Sequence, residues 1–241
     1  MKNKLDFILG PCVLESYDLA DQIISELENY TDFYFKASFD KANRSSNGFR
    51  GPGLKEGIEI FKRLKEKYPK LRITTDVHEV GQLESLSEVI DLIQIPAFLC
   101  RQTDLIVEAS KLFKRINIKK GQWMSPYNMV KVLDKIDTNS LVYLTERGSA
   151  FGTEKLIVDF STVEIFKEYF DKVFFDVTHS THFNKPNGRI GGDRLLAKKY
   201  FKAAYDLGYD GIFAEVHPDP DNSLCDSEST IELDWVVSYD H

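Results

Sequence analysis

Short apolar runs alternate with longer amphipathic stretches along almost the whole chain, and that alternation leaves few architectures open. The runs FILGPC, FYFKAS, RITTDV, DLIQIP, RINIKK, LVYLTE, VFFDVT and GIFAEV are rich in β-branched and aromatic residues and lack strict apolar–polar alternation. At roughly six residues each, they read as parallel strands covered on both faces. Between them lie stretches of helical spacing. Residues 54–68 carry Leu54, Ile58, Phe61 and Leu64; 102–113 carry Leu105, Ala109 and Leu112; 195–207 carry Leu195, Tyr200, Ala203 and Leu207. Gly208 is placed to close the last of these, and a shorter helical segment spans 230–239. Eight strands alternating with helices in 241 residues predict an α/β protein with one domain over residues 1–241, a closed (β/α)8 TIM barrel. A doubly wound open sheet is the rival, but no Gly-rich dinucleotide fingerprint follows any strand.

Charge and composition narrow the partners. Lys and Arg number 31 against 38 Asp and Glu, a net charge of −7, which argues against a nucleic-acid binder with a basic footprint. No apolar run reaches the roughly 20 residues of a membrane span, and FILGPCVL is too short for a secretion signal. Three widely spaced cysteines, Cys12, Cys100 and Cys225, make a disulfide framework improbable. The expectation is a soluble, cytoplasmic protein.

Polar residues capable of chemistry cluster just after the predicted strands: Cys12 and Glu15; Lys36, Lys41, Asn43, Arg44 and Ser45; Asp76, His78 and Glu79; Arg101; Lys119, Lys120 and Gln122; Glu146 and Arg147; Asp176 and His179; Glu215, His217 and Asp219. In a barrel these positions converge on the rim where active sites are built. Lys36, Lys41, Arg44, Arg101, Lys119, Lys120 and Arg147 would then gather at one end of an acidic protein. An isolated lysine there is an ordinary solvated charge. Several cations delivered by independent strands instead call for an anionic ligand, such as a phosphate ester. A second group, Cys12, His179, Glu215 and Asp226, has no metal-motif spacing. One thiolate, one imidazole and two carboxylates would suit zinc, iron, manganese or cobalt and not calcium. His78, His182 and His217 are rival ligands, while Cys100 and Cys225 read as packing or loop cysteines.

The strings GPCVLES, FKASFDKANRSS, FRGPGL, TTDVHE, QIPAFLCRQTDL, INIKKGQ, LTERGSAFG, FDVTHSTH and AEVHPDPDNSLCDS, in that order, resemble the 3-deoxy-D-manno-octulosonate 8-phosphate synthase family. KANRSS is the most specific of them, since the related heptulosonate-phosphate synthases have a KPR-type motif there. The resemblance implies condensation of phosphoenolpyruvate with D-arabinose 5-phosphate and water. The products are inorganic phosphate and an eight-carbon sugar acid phosphate used for lipopolysaccharide. By motif it implies that Lys36, Lys41, Lys119, Gln122 and Arg147 hold phosphoenolpyruvate, and that Asn43, Arg44 and Ser45 hold the sugar phosphate. Lys41, Lys119 and His179 are the expected catalytic residues. Arg101 would reach the sugar phosphate across a subunit boundary, which implies a homotetramer. Cys12, with His179, Glu215 and Asp226, places the chain in the metal-dependent branch, whose cofactor is a divalent ion. A sibling synthase using another aldose phosphate and a non-catalytic sugar-phosphate-binding barrel are the alternatives. Three features depart from the family pattern: direct entry into the first strand without an N-terminal hairpin, His182 and Lys185 in the loop STHFNKPNGRIGGD, and an end at His241 that leaves a short final helix.

Overall fold

A computed structural model describes residues 5–43, 48–137 and 139–239. Eight parallel strands close into a barrel: β1 (Asp6–Gly10), β2 (Phe33–Lys36), β3 (Arg72–Asp76), β4 (Leu92–Ile95), β5 (Arg115–Lys119), β6 (Leu141–Glu146), β7 (Lys172–Asp176) and β10 (Gly211–His217). Each pairs with the next, and β1 pairs with β10 from Asp6↔Gly211 to Gly10↔Glu215, which shuts the seam. All eight predicted strands are present. Two further strands, β8 (Phe183–Asn184) and β9 (Ile190–Gly191), form an antiparallel ribbon in the loop after β7.

Helices α1 (Tyr17–Leu27), α2 (Leu54–Lys67), α3 (Leu83–Ser87), α4 (Thr103–Leu112), α5 (Pro126–Val130), α6 (Thr162–Lys167), α7 (Arg194–Asp206) and α8 (Leu233–Val237) follow the barrel strands in turn. Local chemistry sets their ends. Ser16 Oγ accepts from Leu19 N at 3.1 Å, and Asp193 caps α7 through Leu196 N at 2.8 Å. Gly208, at φ +78°, closes α7 in a Schellman motif, with Tyr209 N donating to Ala204 O and Gly208 N to Tyr205 O. The predicted 230–239 helix is shorter than its pattern, because Ile231–Glu232 is drawn into a strand (β11) beside Val216 and His217. The remaining turn is held by an aromatic cluster in which Phe201 meets Trp235 and Tyr239, and by a Tyr30 hydroxyl donating to Tyr239 O. No helix among the described residues is long and apolar enough to cross a membrane.

The strand period of two sorts the side chains into two layers. Phe7, Leu9, Phe35, Ile73, Ile93, Val173, Phe175 and Ile212 face outward into the large core beneath the helices. Ile8, Tyr34, Leu92, Tyr143, Phe174 and Phe213 face inward and fill the lumen. Two residues further along the same strands, the inward positions become Gly10, Lys36, Gln94, Thr145, Asp176 and Glu215. The lumen is therefore apolar at its base and charged at its C-terminal mouth. Gly10 permits this crowding: its φ is +154°, and a Cβ there would lie 2.1 Å from Lys36 O. Gly10→Ala is expected to cost about 1–3 kcal/mol by overpacking, read as a melting temperature lowered by several degrees in calorimetry. An unchanged melting temperature would mean that β1 and β2 are not held this closely.

Candidate active site

Inward positions of neighbouring strands bring cations and carboxylates into one mouth. Lys36, from the end of β2, is buried; its ammonium donates to Cys12 O at 3.0 Å and lies 3.4 Å from Glu215 Oε1 on β10. Lys119, from the end of β5, pairs with the buried carboxylate of Asp176 on β7 and sits 3.2 Å from the Phe213 ring centroid. Lys41 and Arg147 join them on the wall of a cleft of about 80 Å³ that also meets Asn43, Gln94 and His179. Among the described residues, neither Lys41 nor Arg147 has a carboxylate within ion-pair distance, and Arg147 Nε is buried without a hydrogen-bond partner. A cleft that presents unpaired cations is built for an anion.

The field of the mouth shows in its titrations. Burial alone would raise the carboxyl groups of Asp76 and Asp176. The charges of Lys36 and Lys41 near Asp76, and of His179 and Lys119 near Asp176, instead hold both below the ordinary carboxylate range. Burial pulls the Lys119 ammonium down to about 8 against the attraction of Asp176. His182 is pushed by burial and the neighbouring His179 down to about 4.

Beside the cations lies a group of potential metal donors. Cys12 Sγ is 3.2 Å from Asp226 Oδ2, and His179 Nε2 is 3.5 Å from Glu215 Oε1 and 3.8 Å from Asp226 Oδ2. Metal–ligand bonds of roughly 2.0–2.3 Å in a tetrahedral site would set donors about 3.3–3.7 Å apart, and these three separations lie close to that range. Two further observations support the fit. His179 Nδ1 lies 2.8 Å from Asp176 Oδ2, which in the neutral ring makes Nδ1 the donor and leaves the Nε2 lone pair facing Glu215 and Asp226. Glu215 Oε2 is buried with no hydrogen-bond partner among the described residues. Burial, the adjacent Cys225, Asp226 and Glu215 push the Cys12 thiol up; a cation among these groups reverses that field and favours the thiolate. Asp226 is held at φ +48°, with its carbonyl accepting from the backbone N–H groups of Ser229 and Thr230 and from both hydroxyls. Strain of this kind collects at sites that must aim a side chain.

The expected residues do not all arrive. Asp226 joins two groups of donors, His179 and Glu215 on one side and Cys12 with Cys225 on the other, and Lys36, Lys41, Asn43, Lys119 and Arg147 line the cleft. Arg44 and Ser45 lie outside the described residues. Lys120 does not join the rim: it points behind the wall, donating to Gly148 O at 3.2 Å and Ser149 Oγ at 2.9 Å, 3.4 Å from Glu146. Arg101 does not join it either. It is exposed in a separate depression of about 280 Å³ with Lys131 and Lys135. Gln122 is half-buried outside the cleft wall, with its Oε1 unpartnered among the described residues. Of the rival histidines, only His182 approaches the donors, 4.0 Å from Asp226. His78 packs against Phe39, and His217 Nδ1 accepts from Asp219 N. Cys225, read as an ordinary loop cysteine, sits within 3.5 Å of Asp226. Gln94, Asn117 and Thr145 were not anticipated, although each is a buried polar side chain at the inward parity of its strand.

The sequence model described as the DAHP synthetase I family matches residues 1–241. The chain belongs to that family. It is also similar to three proteins named 2-dehydro-3-deoxyphosphooctonate aldolase. The one from Campylobacter jejuni subsp. doylei is 42% identical over 95% of this chain and 93% of its own. That from Syntrophotalea carbinolica is 42% identical over 95% and 86%, and that from Fusobacterium nucleatum 41% over 96% and 86%. Within this member of the DAHP synthetase I family, Asp176 orients the His179 ring. Asp176→Asn is expected to weaken divalent-metal retention about 10–100-fold, measured by competition with a chromophoric chelator. Wild-type affinity in the variant would remove Asp176 from that role.

Proposed function

We propose that this chain is a 3-deoxy-8-phosphooctulonate synthase, which joins phosphoenolpyruvate to D-arabinose 5-phosphate with water and releases inorganic phosphate. The observation that carries the reading is that two cations without carboxylate partners among the described residues, Lys41 and Arg147, share one barrel mouth with two three-donor groups, Cys12–Cys225–Asp226 and His179–Glu215–Asp226, joined at Asp226. The similarity to the aldolases named above supports the same choice.

The reaction makes three demands. Carbon 3 of the enol ester is a weak nucleophile and must meet the aldehyde carbon in a fixed pose, so both reactants are anchored by their charges. Lys36, Lys41, Lys119, Gln122 and Arg147 are assigned to phosphoenolpyruvate, and Asn43, Arg44 and Ser45 to the sugar phosphate. As the carbon–carbon bond forms, negative charge grows on the aldehyde oxygen and positive charge at carbon 2. Ammonium groups already in place answer the first, and Lys41, Lys119 and His179 are assigned this electrostatic and proton-handling work. Water then adds to carbon 2, and the phosphate leaves with the bridging oxygen. A divalent ion held by Cys12, His179, Glu215 and Asp226 would supply Lewis acidity to orient the aldehyde end or to position and acidify water. Arg101, turned away from its own cleft, is assigned to the sugar phosphate of a neighbouring protomer in a homotetramer, and the enzyme to the cytoplasm.

The test is phosphate release from phosphoenolpyruvate with a panel of aldose phosphates. Arabinose 5-phosphate should be preferred, activity should vanish on chelation, and a divalent ion should return it. Full activity after verified metal removal would exclude the metal's part, and preference for another aldose would point to a sibling synthase. The pH dependence is equally specific. Lys119 holds an anion only while protonated, and burial sets its loss of charge at about 8. The kcat/KM for phosphoenolpyruvate should therefore fall as pH rises through that value, and Lys119→Arg should move the fall to higher pH. A profile flat from pH 7 to 9.5 (about 1 to 1.5 units either side) contradicts the role.

A further inference from the structure

Gln94, Asn117 and Thr145 form one buried hydrogen-bonded row across β4, β5 and β6. Thr145 Oγ1 donates to Asn117 Oδ1 at 2.7 Å, and Asn117 Nδ2 donates to Gln94 Oε1 at 2.9 Å. Gln94 Nε2 in turn donates to Asp76 Oδ1. From the opposite side, Lys41 Nζ donates to Ser38 Oγ at 3.1 Å, and Ser38 Oγ donates to Asp76 Oδ2 at 2.5 Å. Two arms of donors thus meet on one carboxylate.

Only one pattern satisfies the row. An ionised carboxylate accepts and cannot donate, and Lys36 and Lys41 keep Asp76 ionised against the effect of burial. Gln94 must therefore turn its nitrogen to Asp76 and its oxygen to Asn117. Asn117 must then donate to Gln94 and turn its own oxygen to Thr145, whose hydroxyl donates. Reversing either amide would set two acceptors face to face. The same carboxylate makes the Ser38 hydroxyl a donor and leaves its lone pairs to Lys41. Because Ser38, Gln94, Asn117 and Thr145 are all buried, a missing partner leaves an orphaned polar group rather than a hydrated one.

We propose that Asn117 and Thr145 are positioning residues for the reaction. Through Gln94 they hold Asp76, and through Asp76 and Ser38 they fix the direction in which Lys41 offers its remaining N–H groups to the cleft. The assignment rests on the synthase activity proposed above. It concerns residues that do not touch the cleft, so its signature is a change in turnover without a matching change in substrate capture.

Thr145→Val keeps the side-chain shape, removes the terminal donor and strands Asn117 Oδ1. In metal-loaded protein, kcat for phosphate release from phosphoenolpyruvate and arabinose 5-phosphate should fall about tenfold, with KM for phosphoenolpyruvate within about twofold of wild type. Thr145→Ser, which returns the hydroxyl, should regain wild-type kcat to within about twofold. Asn117→Asp, nearly the same size, sets an acceptor against Gln94 Oε1. It should lower kcat at least as much, and it serves as the companion variant if Thr145→Val does not fold. Thermal melts accompany each variant. A folded Thr145→Val with wild-type kcat, a Thr145→Ser as impaired as Thr145→Val, or a rise in KM alone (as displacement of the adjacent Arg147 would give) overturns the proposal. If neither Thr145→Val nor Asn117→Asp folds, the row is structural and the proposal fails. Wild-type protein that releases no phosphate overturns the synthase reading and the positioning role together. Active wild type beside an unaffected variant removes the positioning role alone.

Discussion

Four cations crowd the mouth of this barrel, and the arrangement around them follows from the need to keep them charged there. Buried ammonium groups are tolerable only beside carboxylates, and each carboxylate must itself be fixed. The strands supply both from their inward positions: Lys36 faces Glu215 across the seam, and Lys119 faces Asp176 across the lumen. Asp76 serves Lys41 through Ser38. Removing one member of such a pair leaves its partner buried and uncompensated, which typically costs about 3–5 kcal/mol. The positive charge left at Lys41 and Arg147 is what the mouth has to offer an anion.

One carboxylate links the two halves of the site. Asp176 Oδ2 faces both Lys119 Nζ and His179 Nδ1, while Oδ1 accepts from the backbone N–H groups of Thr178 and His179. The Thr178 hydroxyl accepts from Glu215 N, so the turn after β7 also braces β10. A displacement of Asp176 would therefore reach Lys119 and His179 at once. Substitutions there should not separate cleanly into binding and turnover effects.

The strands were legible because a parallel barrel strand is apolar on both faces, and runs such as VFFDVT and GIFAEV have no other economical burial. The rim cations were legible only as a set. Lys119 and Lys120 look equivalent in the sequence, yet alternate residues of a strand face opposite ways. Lys119 enters the lumen, and Lys120 leaves it to bind carbonyls behind the wall. Parity along the strand would have separated them. Arg101 was grouped with the cleft because it follows the fourth strand, but the 3-10 turn Ala97–Leu99 carries the chain away first. The candidate metal donors were grouped by residue type without a spacing signal and gained weight only through a resemblance, because their placement depends on the loop after β10, whose left-handed Asp226 no spacing rule reveals. Gln94 and Asn117 were passed over because one polar residue in a strand is ordinary. Their meaning appears only when Asp76, Gln94 and Asn117 are seen in register on adjacent strands.

The apolar base of the lumen contributes to the chemistry as much as the charged layer above it. Phe213 lies under Lys119, 5.5 Å from Lys36 and 5.8 Å from the His179 ring, while Tyr143 and Phe174 pack beside one another below. Rings in these places exclude water from beneath the cations, lower the local dielectric and offer a negative π face to the ammonium group. The lower dielectric strengthens the attraction for an incoming phosphate or carboxylate, while the π face steadies the ammonium group itself. The dry floor also depresses Lys119, so a more apolar floor would tighten the grip on an anion while moving the lysine closer to losing its proton at neutral pH. The strand that carries Phe213 also carries Glu215 two residues later, on the same inward face. A single period-two pattern thereby sets both the solvent and the charge of the mouth.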